Sequence, residues 1–201
     1  MRLTTRGHRN CQSRQNAFRY GSSYLDGPAS PKRNSARPCY IQMQMTQPLS
    51  AEEALAALGL ALPQLPAPGG NYVSAKRAGA VVYLAGVIST GPDGVIVGTA
   101  GADRTVEDGY AAARACALTQ LAVLRGELGS LDHVAEVLTV NGYVNAVAGF
   151  ADSPAVINGA SDLLVRVFGN AGRHVRAAVG VSALPRNALV ELQMTVRVKE
   201  S

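Results

Sequence analysis

Residues 175–198 read VRAAVGVSALPRNALVELQMTVRV, and their alternation decides the fold. In the second half, Val190, Leu192, Met194, Val196 and Val198 share one parity, while Glu191, Gln193, Thr195 and Arg197 share the other. A period of two sustained over a whole run marks a strand with one buried and one open face. Residues 175–184 repeat the pattern less sharply. Val175, Ala177, Val179, Val181 and Ala183 are apolar, and Arg176, Ala178, Gly180 and Ser182 alternate with them. Pro185, Arg186, Asn187 and Ala188 punctuate the two runs as a turn.

Working outward, residues 155–168 form an apolar-faced helix that ends at Gly169, and Ser153-Pro154 reads as its N-cap followed by proline at the first helical position. Residues 134–144 read as a strand. Thr105 opens a longer helix, with acids in its first turn where the helix dipole favours them. Val106, Tyr110, Ala113, Ala117, Leu121, Leu124 and Leu128 then recur every three or four residues, and Gly129 closes the helix. Residues 72–77 and 81–86 make a first strand pair, and residues 95–97 a short extra strand. Residues 51–60 read as a short helix capped by Ser50, followed by a Pro/Gly-rich linker.

The order β-β-(β)-α-β-α-β-β predicts an α+β domain: a six-stranded mixed sheet with two helices on one face. The apolar parity of both final strands belongs beneath the helices. This puts Arg176 and Glu191 together on the opposite face, where Ala178 and Gly180 leave room for another subunit.

Charge divides the chain. Residues 1–45 hold eight of its 19 basic residues and one of its 14 acids, which leaves 11 bases and 13 acids, net −2, for the rest. The pI near 9.4 therefore belongs to the tail, and a basic-patch argument for nucleic acid does not extend to the domain. Residues 1–48 are expected to stay disordered, because so polar a segment cannot bury enough surface to offset its ordering entropy. Three readings remain open for them: a mis-assigned start upstream of Met45, a targeting segment, or a nucleic-acid or membrane arm. Residues 49–70 are the short helix and linker, and residues 71–201 the domain. No apolar run reaches membrane-spanning length, and Cys11, Cys39 and Cys116 have neither metal nor disulfide spacing. The domain reads as cytoplasmic.

No Ser–His–Asp, HExxH or phosphate-loop pattern occurs, and His8, His133 and His174 lie in the tail or beside strands. Arg176 and Glu191 stand out. A guanidinium can clamp a carboxylate, and a carboxylate can orient water; the alternative is a cross-strand ion pair.

The run HVRAAVGVSALPRNALVELQM, residues 174–194, resembles the signature of the RidA/YjgF family through Arg176, Val179, Val181, Leu184, Pro185 and Glu191. GNYVSAKRAGAVVYLAGVIS, residues 70–89, resembles its opening hairpin, with Tyr72 and Gly86, and Asn158 fits a further family position. Within the family the chain looks most like the endoribonuclease L-PSP/chorismate mutase-like subgroup. The resemblance implies a homotrimer with clefts between subunits, no metal or organic cofactor, and hydrolysis of enamines and imines such as 2-aminoacrylate to a 2-keto acid and ammonia. By that resemblance Arg176 holds the substrate carboxylate and Glu191 positions water. Tyr72 lines the cleft from the adjacent subunit, Asn158 contributes to substrate binding, and the backbone at Gly86 and Ala178 completes the pocket. Two departures bear on the substrate. Ala85 stands where many active members carry a hydroxyl residue, and Ala178 where many carry cysteine. The alternatives are a non-catalytic protein binding a small carboxylate metabolite and, less supported by the charge, an RNA-cleaving enzyme. No specific nucleic-acid or membrane partner is expected. Deleting residues 1–44 should leave the thermal unfolding midpoint and the sedimentation coefficient per subunit of the remaining chain at the values of an intact domain; a collapsed melting transition would refute this.

Overall fold

A computed structural model of the chain describes residues 49–65 and 69–200; the tail, residues 1–48, lies outside the described residues. Among the described residues three α-helices, α1 (Ala51–Ala57), α2 (Val106–Leu128) and α3 (Ser153–Phe168), accompany eight strands. These are β1 (Ala75–Ala78), β2 (Val81–Leu84), β3 (Val87–Ile88), β4 (Thr90–Gly91), β5 (Gly94–Val95), β6 (Val134–Asn145), β7 (Val175–Val181) and β8 (Val190–Val198). Six of them form one mixed sheet in the order β1-β2-β8-β6-β7, with β3 continuing the β2 edge along β8; β4 and β5 make a separate ribbon. Only β6 and β7 run parallel in the main sheet. The expected α+β architecture holds.

The helix signals act as anticipated at most ends. Ser50 and Thr105 each close a capping box, with Glu53 and Asp108 respectively, and Gly129 adopts the left-handed conformation that ends α2. α3 differs: Asp152 occupies the cap position without a side-chain hydrogen bond, and Ser153 is its first helical residue, buried. The first strand pair is shorter than the sequence suggests. Tyr72 lies in the turn before β1, whose backbone folds back through Tyr72 N–H to Gly70 C=O. Val97 makes only an isolated bridge with Ala188.

α2 and α3 pack on one face of the sheet. From β8 that face takes Val190, Leu192, Met194, Val196 and Val198, all buried, as the alternation predicts. Their partners on β6 are Val144, Gly142, Val140, Val137 and Val134. The two helices lie close because glycines line their contact. A Cβ at Gly109 would crowd Val156, and one at Gly159 would collide with the Tyr110 carbonyl. Gly142 likewise clears space on the sheet for Ile157.

The face assigned to residues 175–184 is overturned. In the parallel β6–β7 register, Val140 pairs Arg176, Gly142 pairs Ala178 and Val144 pairs Gly180. Arg176, Ala178 and Gly180 therefore point to the helix side, and Val175, Ala177 and Val179 to the open side, where Val175 is 69% and Val179 44% exposed. The physical cause is the proximity of α3 to this margin: a Cβ at Gly180 would already lie in van der Waals contact with Ser153 Oγ. Small residues suit that side, and the branched ones go outward. Room for a neighbouring subunit is thus not what Ala178 and Gly180 supply; the apolar open side is formed by the valines. β7 and β8 are not neighbours either, because β6 runs between them.

Replacing Gly159 with alanine should cost about 2–3 kcal/mol, read from urea unfolding, because the new methyl group meets backbone carbonyl rather than a side chain able to move. A loss below about 0.5 kcal/mol would mean that the α2–α3 contact is looser than this packing requires.

Candidate functional site

The predicted site residues separate into two groups at different margins of the sheet, one on the β7 edge and one where β3 meets β8. The first is built on β7 and α3. Arg176 reaches from the sheet margin over α3, donating from Nη1 to Asn158 Oδ1 at 2.9 Å and to Ser161 Oγ at 3.0 Å, and from Nη2 to the Pro154 carbonyl at 3.3 Å. Among the described residues these bonds engage three of the guanidinium's five N–H donors. Ala178 follows two residues along the same face.

His174 completes this group. Its Nδ1 lies 2.7 Å from the Gly172 carbonyl and its Nε2 3.0 Å from Ser161 Oγ. A carbonyl only accepts, so Nδ1 carries the proton and Nε2 accepts from the Ser161 hydroxyl. The serine oxygen is then free to accept from Arg176. Desolvation, partly offset by the Gly172 carbonyl and reinforced by Arg176, lowers the His174 pKa, which favours the neutral ring this chain of bonds requires. The sequence placed His174 only beside a strand, and nothing in its pattern singled out Ser161. Their role depends on a helix–strand proximity that alternation does not encode.

The second group lines a pocket of about 940 Å³ that holds Tyr72, Ala85, Gly86, Arg186 and Glu191. Ala85 and Gly86 interrupt the ladder: Tyr83 pairs Thr195 and Val87 pairs Leu192, so β2–β3 carries one extra residue relative to β8 there. This is a β-bulge. Gln120, fully buried on α2, donates from Nε2 to the Ala85 carbonyl at 2.9 Å and the Leu192 carbonyl at 2.8 Å, satisfying acceptors beside the bulge. The helix pattern marks position 120 only as polar, so its service to the bulge was not legible in sequence. At the bulge Gly86 lies against Glu191; a Cβ there would collide with the carboxylate. Partial burial pushes the Glu191 pKa above its ordinary value near 4.5. Cys116 sits fully buried behind this group, its thiol pushed up in pKa by desolvation and by Glu191.

Tyr72 is 51% exposed and neither a strand residue nor part of the core; it shares its pocket with Glu191 of the same chain. Arg186 reaches this pocket from a turn in which it and Asn187 both have φ of 57°, the left-handed region. The turn is braced by Asn145 Nδ2, which donates to the Gly98 carbonyl and to Asn187 Oδ1. Backbone strain of this kind costs of order 1–3 kcal/mol per residue and persists only where surroundings enforce it. Within one chain Arg176 and Glu191 do not meet: they stand on opposite faces with β6 between their strands, so no cross-strand ion pair forms. Among the described residues no cluster of His, Cys, Asp and Glu could hold a metal ion, and no helix is long and apolar enough to cross a membrane.

Comparison with known proteins agrees with this architecture. A family model described as "YjgF/chorismate_mutase-like, putative endoribonuclease" matches residues 52–197. Protein TCP17 of Trypanosoma cruzi is 42% identical over 146 residues, covering 72% of this chain and 91% of that protein. A crystal structure from Shewanella oneidensis MR-1, described as that of a "putative endoribonuclease", superposes with a TM-score of 0.72 at 32% identity over 75% of this chain and 100% of that one. A protein of unknown function from Agrobacterium tumefaciens superposes with a TM-score of 0.68 at 36% identity, covering 74% of this chain and 92% of that one.

The Glu191 environment has a pH signature. A carboxyl whose folded pKa is raised contributes stability that is fully present below its unfolded value and is lost as pH rises through its folded value. Glu191→Gln, which does not titrate, should gain in melting temperature relative to wild type as pH rises above the ordinary glutamate value of 4.5. Parallel curves for the two proteins would show that the carboxylate is not desolvated.

Proposed function

The chain belongs to the YjgF/chorismate mutase-like family, and on that premise we propose that it hydrolyses reactive imines and enamines of 2-oxo acids in a site shared between subunits of a homotrimer. The observation that carries this reading is the division of the site. Arg176 with Asn158 offers a carboxylate anchor at the β7 edge of the sheet, and Glu191 with Tyr72 offers a water-handling pocket where β3 meets β8. Each half is incomplete alone. The exposed Val175 and Val179 on the open face supply apolar surface for packing subunits together, so that one subunit's anchor can face another's pocket.

In this scheme the N–H groups of Arg176 outside those bonds hold the substrate carboxylate side-on, in a guanidinium already oriented by Asn158 and Ser161. Water held by the Glu191 carboxylate adds its oxygen to the imine carbon as the carboxylate takes its proton. The C=N bond becomes a C–N single bond as its electron pair moves to nitrogen, which takes that proton back from the Glu191 carboxyl. Collapse of the resulting carbinolamine breaks the C–N bond, releases ammonia and leaves the 2-oxo acid. The raised Glu191 pKa suits this exchange, since a carboxyl closer to neutrality both accepts and returns a proton readily. Ala85 offers no hydroxyl to the substrate; its N–H donates to the backbone carbonyl of Ser74, a hydroxyl residue on the same pocket wall. A second reading, RNA cleavage, is favoured by the family's description alone. The same assays address it: hydrolysis of RNA that is lost in Arg176→Ala would support it, and RNA left intact would not.

With 2-aminoacrylate generated in solution, Arg176→Ala and Glu191→Gln should each lower kcat/KM for keto-acid release about 100-fold or more. Co-refolding the two inactive variants in equal amounts should restore activity toward about a quarter of wild type, because a random assembly pairs an intact anchor with an intact pocket at about that fraction of its interfaces. A mixture as inactive as its components would rule out the shared site.

A further inference from the structure

The pocket around Glu191 is far larger than a three-carbon imine, and most of its wall is hydrocarbon. Its volume of about 940 Å³ lies at the upper end of cavities that hold drug-sized ligands, about 300–1,000 Å³. Tyr72, Arg186 and Glu191 bring charged and phenolic groups to the pocket, while Leu62, Val87, Ile88, Leu118 and Val123 bring much of its hydrocarbon wall, Ile88 directly beside Glu191 in the β3–β8 pairing.

This wall is a built feature. Leu118 belongs to the face of α2 turned toward the sheet edge, and Val87 and Ile88 are β3 itself. Leu62 comes from the segment that follows α1, and α1 is held firmly. Glu52 Oε1 accepts from Arg125 Nε at 3.0 Å and from the Leu131 amide at 3.0 Å, while the Glu52 amide donates to Asp132 Oδ1 at 3.1 Å. Leu58, Leu60 and Leu62 pack in succession against the main core. The segment is thereby laid along α2 with its apolar side turned inward. Water alone would fill such a space poorly, since an apolar wall offers it few hydrogen-bond partners.

We propose that the substrate of this site carries a bulky apolar side chain, branched aliphatic or aromatic, that lies along Leu62, Val87, Leu118 and Val123 while the reacting carbon stays at Glu191. The inference rests on the imine-hydrolase reading and narrows its substrate class. It also accounts for a pocket whose hydrocarbon portion has no role with 2-aminoacrylate.

The test uses the full chain and 2-oxo acids, the products of the proposed reaction, as probes. Calorimetric titration should show 4-methyl-2-oxopentanoate and phenylpyruvate binding about 30-fold more tightly than pyruvate, from the added apolar burial. Leu118→Gln, on a half-buried position, should erase most of that gain and leave pyruvate affinity within about twofold of wild type; Leu62→Asn serves as a second variant if the first fails to fold. Kinetics with imines generated from leucine, phenylalanine and alanine should rank in the same order. Pyruvate bound as tightly as the larger acids, or a gain that survives both wall variants, would overturn the side-chain inference and leave imine hydrolysis standing. If no 2-oxo acid binds and no imine is hydrolysed faster than in buffer, the hydrolase reading itself fails and this inference falls with it.

Discussion

Every strand of the main sheet shares one helix layer, and the two-residue period obliges each strand to give one of its parities to that layer. The rest of the molecule follows from how this constraint is met. On β8 the layer takes the apolar parity and leaves Glu191 on the open face. On β7 the register with β6 hands the layer Arg176, Ala178 and Gly180 instead. Two strands joined by a short turn thus point Arg176 and Glu191, the residues of the proposed site, to opposite sides of the same sheet.

Arg176 and Glu191 are each held in place by neighbouring groups. Asn158, Ser161 and the Pro154 carbonyl restrain the Arg176 guanidinium, and His174 fixes the hydroxyl orientation of Ser161. On the other face, Gln120 compensates the bulge at Ala85 and Gly86, and that bulge lets the Glu191 carboxylate lie directly against backbone. The second arrangement has a cost. It holds a carboxylate partly out of water beside an apolar pocket, and the raised pKa is the measure of that desolvation. The same apolar surroundings raise the Glu191 pKa and form the hydrocarbon wall on which the proposed substrate preference rests.

Much of this organisation is legible along the chain. The capping signals at Ser50 and Thr105, the terminator at Gly129 and the strict alternation of residues 190–198 are local, and each specifies its element without help from the rest. Tyr72, Gly86, Asn158, Arg176, Ala178 and Glu191 could all be named from family resemblance. Their grouping could not, because grouping depends on strand order and on which side of the sheet each residue faces.

What the sequence by itself determined was the helices and long strands, the α+β class and the buried parity of β8, where polar and charged residues on alternate positions leave one choice; the breaks that divide residues 81–95 into four short strands were not legible in it. What only the tertiary structure decided was the facing of β7. Both of its parities are largely small or apolar, so alternation there is symmetric, and a strand with two acceptable faces is oriented by what packs against it. The closeness of α3 at the sheet margin selected the smaller residues and Arg176 for the helix side. With that selection the anchor and the pocket parted company, and the valines turned outward to form the apolar open face.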